Sequence, residues 1–102
     1  MHNYKIKVLA RVKDFIQSLG EKDRAKIAAA VHVLSQGDFQ SVETKSLRGP
    51  VKELIIRSYR IVFFVRDDTL WLVGGFRKKT RKTPPQEIEN ALNIFKILDN
   101  EK

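Results

Sequence analysis

VKELIIRSYRIVFFVRDDTLWLVGGF, residues 51–76, carries the clearest structural signal in the chain. Its periodicity is close to two, and β-branched and aromatic residues dominate it, as is typical of strands. We predict strands over residues 51–57, 59–66 and 69–76, with Asp67-Asp68 as the short turn of a hairpin. The nearly continuous apolar runs at 61–65 and 70–73 indicate strands that are covered on both faces or lie mid-sheet.

Helical periodicity precedes this stretch. Residues 4–9 alternate weakly and predict a short edge strand. The next apolar residues share one helical face: Val12, Phe15, Ile16 and Leu19. Gly20 ends that helix, and a second apolar stripe predicts another helix over residues 21–36. Because so few residues join the two helices, we expect an antiparallel helical hairpin.

A third helix is predicted after the strands. Thr83 has the character of an N-cap, Pro84 would occupy the first helical position, and Gln86 would complete a capping box. The apolar stripe of this helix runs to about residue 98. Residues 38–50 lack a clear periodicity and are predicted to form a loop.

These elements predict an α+β fold, in which an antiparallel sheet of about four strands has an N-terminal helical hairpin and a C-terminal helix packed on one side. The length of 102 residues fits one domain, residues 1–102. No apolar run approaches the ~18 residues of a membrane span. Residues 1–5 lead into no apolar signal region, so we expect a cytoplasmic protein with no membrane partner.

The positive charge is concentrated in one segment. Eleven lysines and arginines but only three acidic residues lie between Lys45 and Lys82, so this segment accounts for the whole net charge of +8. Such a distribution favours a polyanionic partner, most readily RNA. A surface that served only solubility would mix both signs of charge.

Other kinds of site are poorly supported. The chain has no cysteine, which excludes disulfides, thiolate zinc sites and cysteine nucleophiles. His2 and His32 lack the spacing of a zinc site or a catalytic triad and are predicted to lie on the surface. Gly74-Gly75 falls within a strand, where it favours close backbone approach over phosphate binding. We therefore expect neither a metal nor a cofactor.

Strand geometry groups part of the basic set. Antiparallel pairing places the end of the last strand opposite the start of its neighbour, so residues 76–79 should lie near residues 59 and 60. This prediction gathers four cations around one end of the sheet: Arg57, Arg60, Lys78 and Lys79. Arginine binds phosphate oxygens in a bidentate fork, and lysine acts as a point charge.

Three motifs, in this order along the chain, are shared with a known family. They are Lys-Ser-Leu-Arg-Gly at 45–49, then Glu53-Leu54 with Arg57-Ser58 and Tyr59-Arg60, then Gly-Phe-Arg-Lys-Lys-Thr-Arg-Lys-Thr-Pro at 75–84 followed by Glu87-Ile88 and Ala91. With the helix and strand layout, which spans almost the whole chain, they resemble the RelE/HigB superfamily of bacterial type II toxins, most closely its phage-derived HigB-like branch. The family often has arginine directly after Glu-Leu, where this chain has Ile55.

The resemblance implies a ribosome-dependent mRNA endonuclease. Such toxins cut the codon in the ribosomal A site by attack of a 2′-OH on the adjacent phosphate, without a metal or cofactor. On this basis we assign Arg57 and Arg60 to the phosphate and leaving group. Lys78 or Lys79 would be the base or an electrostatic stabiliser. The remaining cations would hold mRNA or ribosomal RNA backbone: Lys45, Arg48, Arg77, Arg81 and Lys82. The resemblance also implies a helix-turn-helix antitoxin as partner.

Three alternatives remain open. A ParE-like toxin of the same fold would act on DNA gyrase by protein contact, and the dense basic run at 78–82 argues against it. A non-catalytic RNA-binding module is kept open by Ile55. A membrane-surface role has the least support, because the basic residues lie on predicted strands and a loop and not on an amphipathic helix.

Overall fold

The computed structural model describes residues 3–100, which form five strands and three helices. In chain order they are β1 (Lys5–Val8), α1 (Ala10–Gln17), α2 (Glu21–Ser35), β2 (Glu43–Arg48), β3 (Val51–Ile56), β4 (Tyr59–Arg66), β5 (Thr69–Arg77) and α3 (Pro85–Asn100). The α+β class, the helical hairpin and the C-terminal helix are confirmed. No helix within residues 3–100 is long and apolar enough to cross a membrane.

All five strands form one sheet in the order β1-β5-β4-β3-β2. Strands β2 to β5 pair with one another in antiparallel fashion, and the predicted tight turn at Asp67-Asp68 joins β4 to β5. β1 instead pairs parallel with β5, with Ile6 opposite Leu70. The predicted edge strand near the N-terminus is confirmed. The prediction of about four antiparallel strands requires two corrections, in the strand count and in the direction of β1.

The strand that the sequence analysis missed is β2, within the segment predicted as a loop. Its residues, ETKSLR, include one large apolar side chain, Leu47, so no alternation is visible. The register places Thr44 opposite Leu54 and Lys45 opposite Glu53. At a sheet edge, backbone pairing on one side holds even a polar strand, and its charged side chains disfavour pairing with another chain. β2 is therefore defined by its partner β3 and not by its own pattern.

The helices cover both faces of the sheet. One core lies beneath α1 and α2 and takes Ile61 and Phe63 from β4. The other lies beneath α3 and takes Val62 and Phe64. Because successive strand side chains point to opposite faces, this continuous apolar run fills both cores. The prediction that all helices pack on one side is therefore wrong, whereas the interpretation of the run as covered on both faces is confirmed.

Gly74 and Gly75 allow both helical layers to approach β5 closely. A Cβ on Gly75 would lie 2.6 Å from the ring of Phe15 on α1, and a Cβ on Gly74 would lie 2.7 Å from the carboxylate of Glu87 on α3. The β4–β5 register shifts beside these glycines, at Val73. The predicted role of the glycine pair in close backbone approach is confirmed.

Helix α3 begins at Pro85 and not at Pro84. The Thr83 hydroxyl, predicted to cap the helix, instead donates a hydrogen bond of 2.7 Å to the Glu53 carboxylate. The Gln86 amide forms a hydrogen bond further along the helix. The predicted capping box is therefore wrong. Because the helix begins two residues after Thr83, this residue does not occupy the N-cap position, and its hydroxyl donates to a buried carboxylate oxygen instead.

Candidate functional site

The turn between β3 and β4 displays an arginine at one end of the sheet. Arg57 is exposed and has a φ of 55°, a left-handed conformation that side-chain-bearing residues seldom adopt. Nη1 of Arg60 donates to the carbonyl oxygens of Arg57 (2.7 Å) and Tyr59 (2.8 Å). One arginine thus holds the turn that presents the other. The sequence analysis placed Arg57 at the end of a strand, and the structure places it in the turn.

The basic run begins directly beside this turn. The register pairs Arg60 with Phe76, and the backbone N–H of Lys78 donates to the carbonyl of Ser58 at 2.7 Å. The predicted proximity of the end of β5 and the start of β4 is confirmed. Lys79 follows Lys78 as an exposed residue of the loop before α3. One end of the sheet therefore carries the turn and loop residues Arg57, Arg60, Lys78 and Lys79.

A buried carboxylate lies behind these cations. The side chain of Glu53 on β3 is 0% exposed, and its Oε1 lies 3.9 Å from Nε of Arg60, whose own side chain is 11% exposed. The other oxygen, Oε2, accepts the hydrogen bond from Thr83. Burial of a charge is costly unless it is paired, so Glu53 and Arg60 compensate each other. The sequence alone predicted no structural role for Glu53, although a lone glutamate among apolar strand residues is a recognisable signal.

Arg77 lies on the α1–α2 face of the sheet, opposite the α3 face that carries Glu53 and Arg60. Its guanidinium lies over the Tyr59 ring, 5.1 Å from the centroid, and donates to the Tyr59 hydroxyl at 2.8 Å. That hydroxyl donates in turn to Asp23 of α2 at 2.7 Å. Arg77 is therefore held against the α1–α2 layer, so of the residues assigned to RNA backbone binding it stands apart.

Three of the predicted RNA-binding residues meet at one groove. It lies on the α3 face between β2 and the start of α3, encloses about 310 Å³, and is lined by Lys45, Ser46, Leu47, Arg48, Lys82, Thr83, Pro85 and Ile88. All three basic residues of the lining are exposed. Arg81 is exposed in the same loop but does not line the groove. We call this feature the basic groove.

Few of the basic side chains at the candidate site are paired with an acidic side chain of the protein. Of the nine basic residues predicted to act here, only Arg60 forms an ion pair within residues 3–100. The others leave their charge available to an external anion, which favours phosphate.

The histidines lie apart from this site. His32 is exposed on α2, as predicted, 3.3 Å from the amide of Gln36, and His2 lies outside the described residues. In the part of the chain that the structure describes, no group of three or more histidine or acidic side chains is placed to hold a metal ion.

Sequence comparison then identifies the family. The profile described as "Phage derived protein Gp49-like" matches residues 14–96, from α1 into α3. The chain belongs to the Gp49-like family of phage-derived proteins. No curated protein matches its sequence.

Solved structures show the fold of this Gp49-like chain. The RelE of a Pyrococcus horikoshii RelE–RelB complex has a TM-score of 0.68 and 16% identity, covering 78% of this chain and 99% of that chain. A double arginine-to-alanine variant of Escherichia coli toxin RelE in the free state has a TM-score of 0.64 and 20% identity, covering 89% and 96%. The toxin–antitoxin complex RelBE2 from Mycobacterium tuberculosis has a TM-score of 0.54 and 19% identity, covering 76% of this chain and 94% of that chain. The predicted RelE-like topology is therefore confirmed.

Proposed function

We propose that this chain is the toxin of a type II toxin–antitoxin system and cuts mRNA on the ribosome. The observation that carries the proposal is the cluster at one end of the sheet, where Arg57 and Arg60 adjoin Lys78 and the exposed Lys79. The family membership and the RelE fold support it, and two of the three motifs that resemble the toxin superfamily supply these four residues.

The reaction that suits such a site is internal phosphoryl transfer. The 2′-oxygen of one nucleotide attacks the adjacent phosphorus and loses its proton to a base. The bond from phosphorus to the 5′-oxygen of the next nucleotide breaks, and that oxygen takes up a proton. The protein must supply the base, stabilise the extra negative charge on the phosphorane, and assist the leaving oxygen. Lysine and arginine side chains can meet the electrostatic part of this demand.

We assign the roles from exposure and from existing partners. Arg57 is displayed on the turn and free of ion pairs within the described residues, so it would bind the phosphorane oxygens. Arg60 is largely buried, so it would act at the rim of the same cluster, at the leaving-group side. Lys78 or Lys79 would serve as the base or as an electrostatic stabiliser.

The basic groove would hold RNA backbone next to the cluster. Lys45, Arg48 and Lys82 line it, and Arg81 adds a charge in the adjoining loop. Arg77 would contact RNA from the other side of the sheet end. Contacts of this kind fix position and supply affinity without reading sequence.

The proposal includes a cognate antitoxin and a cytoplasmic location, where ribosomes are. Of the similar solved structures, that from Pyrococcus horikoshii is a RelE–RelB complex, and that from Mycobacterium tuberculosis is a toxin–antitoxin complex. The HigB-like resemblance implies that the partner here is a helix-turn-helix protein.

One observation favours a second candidate, a non-catalytic RNA-binding module. Ile55 is the register partner of Arg60, at the position where the family often has arginine. The cluster thus has one cation fewer beside Arg60. Such a module would bind ribosomes through the basic groove without cutting mRNA.

Primer extension on mRNA from expressing cells tests the proposal. The wild-type chain should arrest growth and produce cuts in phase with codons. Arg57→Ala and Lys79→Ala should grow and lose the cuts. Both remove exposed cations, so folding is at little risk, unlike Arg60→Ala, which would leave Glu53 buried without a counter-charge.

Lys96→Ala is the matched control, because Lys96 is an exposed lysine on the C-terminal half of α3. It should be as toxic as the wild type. Growth arrest with a DNA-damage response and intact mRNA would indicate ParE-like action on gyrase. Ribosome binding with intact mRNA and no arrest would indicate the non-catalytic module.

A further inference from the structure

Glu53 is buried behind the cationic cluster and contacts one of its members, Arg60, and also Thr83 of the loop before α3. It is completely shielded from solvent, so it cannot meet a substrate directly. Its two carboxylate oxygens face two different parts of the site. Oε2 accepts from Thr83 at 2.7 Å, and Oε1 faces Nε of Arg60 at 3.9 Å.

The two contacts join segments that are distant along the chain. Thr83 ends the loop that carries Lys78 to Lys82, and Arg60 lies at the start of β4. On the opposite edge of β3, Glu53 is the register partner of Lys45 in the basic groove. One side chain therefore contacts both the arginine on β4 and the loop before α3, on the strand that pairs with the groove strand β2.

The contact with Arg60 is an ion pair and not a hydrogen bond. Within the described residues neither Oε1 of Glu53 nor Nε of Arg60 has a hydrogen-bond partner, although both are buried. Arg60 is instead fixed by Nη1, which donates to the carbonyl of Arg57 in the β3–β4 turn and to the carbonyl of Tyr59 at the start of β4. The carboxylate supplies the charge that keeps this buried guanidinium in place, and the turn that displays Arg57 depends on that guanidinium.

We propose that Glu53 is a positioning residue, which sets the distance between the turn arginines and the loop lysines by binding Arg60 through charge and Thr83 through a hydrogen bond. The inference rests on the proposed function. Cleavage demands that cations from the turn and from the loop meet the same phosphate, and errors near 1 Å in such placements lower rates strongly. The backbone hydrogen bond from Lys78 to Ser58 holds the other end of this loop to the β3–β4 turn.

The test compares single-turnover cleavage with binding on saturating ribosomes. Glu53→Gln keeps an acceptor for Thr83 but removes the charge facing Arg60, and Thr83→Val removes the hydroxyl but keeps the charge. Each should lower the cleavage rate about 10- to 100-fold, as loss of supporting contacts behind a site does. The Kd for ribosomes should stay within about twofold of wild type, since the groove cations remain. Thr83→Ser keeps the hydroxyl and should cleave at close to the wild-type rate, and Lys96→Ala should leave the rate unchanged.

Amide hydrogen exchange gives a readout that does not need activity. Exchange of the Lys78 amide, which bonds the loop to Ser58 of the turn, should be faster in both variants than in wild type, because Glu53→Gln loosens the turn and Thr83→Val loosens the loop; α1 and α2 should be unchanged. Unchanged cleavage rates in both variants would overturn the inference. So would a loss of cleavage that is fully explained by weaker binding to ribosomes. If the wild-type chain does not cleave, the proposed function fails, and unchanged exchange of the Lys78 amide in both variants would then refute the positioning role as well. Should Glu53→Gln fail to fold, Thr83→Val decides.

Discussion

At the scale of single residues, the cations at the sheet end differ in the contacts they already make. Arg60 is committed to Glu53 and to two backbone carbonyls, and Arg77 is committed to the Tyr59 ring and hydroxyl. Arg57 has no ion pair within the described residues and extends from a strained turn. A guanidinium without partners has more hydrogen bonds to give to a phosphate than one already bound. Arg57 is therefore the arginine on which the rate should depend most.

Arg57→Ala is expected to lower the single-turnover cleavage rate about 10²- to 10³-fold, the usual effect of losing one donor to a developing anion. Arg77→Ala should lower it less than about tenfold, because Arg77 points to the α1–α2 layer. The rates are measured with purified protein on mRNA-programmed ribosomes. A larger loss in Arg77→Ala than in Arg57→Ala would contradict this ranking.

The sequence predicted which cations gather but not what each of them contacts. Antiparallel register alone placed Lys78 beside the Arg57 turn, because pairing of β4 and β5 follows from their short hairpin. The roles of Glu53 and Thr83 were not predictable in this way. A capping box would use the Thr83 hydroxyl as an acceptor for a helix N–H, whereas in the structure it donates to Glu53, and this partner follows only from the three-dimensional placement of β3 beside the start of α3.

At the scale of elements, a strand or helix could be predicted where its own residues show a clear hydrophobic pattern, and not where neighbouring elements hold it in place. β4 and β5 are strongly apolar and were predicted almost to the residue. β2 is polar and exists through backbone pairing with β3, so no local pattern could reveal it. The side on which α3 packs was also not determined locally, because the strands between the two cores are apolar on both faces.

Packing of α1 on β5 yields an element-scale prediction. Gly75→Ala should lower the free energy of unfolding by about 1–3 kcal/mol, because its Cβ would meet the Phe15 ring at 2.6 Å. Gly20→Ala is the control, since no atom lies within 4 Å of a Cβ built there, and its cost should be under about 1 kcal/mol. Urea unfolding followed by tryptophan fluorescence measures both. Equal urea midpoints for the two variants would show that the close contact between Gly75 and Phe15 does not contribute to stability.

At the scale of the whole molecule, the charge distribution is uneven. The net charge of +8 belongs to the segment between Lys45 and Lys82, and the structure places much of that segment at one end of the sheet and along the adjoining basic groove. A surface of this kind attracts a polyanion over a Debye length, about 8 Å at physiological salt. Ribosome association should therefore be governed by phosphate contacts.

Ribosome affinity should fall steeply with salt, because each phosphate contact releases a counterion on binding. Removing both Lys45 and Arg48 should reduce the slope of log affinity against log salt by about two, while Lys96→Ala leaves the slope unchanged. Sedimentation of labelled protein with ribosomes at several salt concentrations gives the slopes. A slope that stays the same in Lys45→Ala/Arg48→Ala would mean that the basic groove does not contact RNA.

We propose that the cationic sheet end promotes attack by an mRNA 2′-OH on the adjacent phosphate in the ribosome. The most direct measurement places a single 2′-deoxynucleotide at the attacking position of an A-site codon and follows cleavage by the purified chain. The all-ribose mRNA should be cut at that codon only when ribosomes are present, and the 2′-deoxy mRNA should remain intact. Equal cleavage of both mRNAs, or no cleavage of either, would contradict the account.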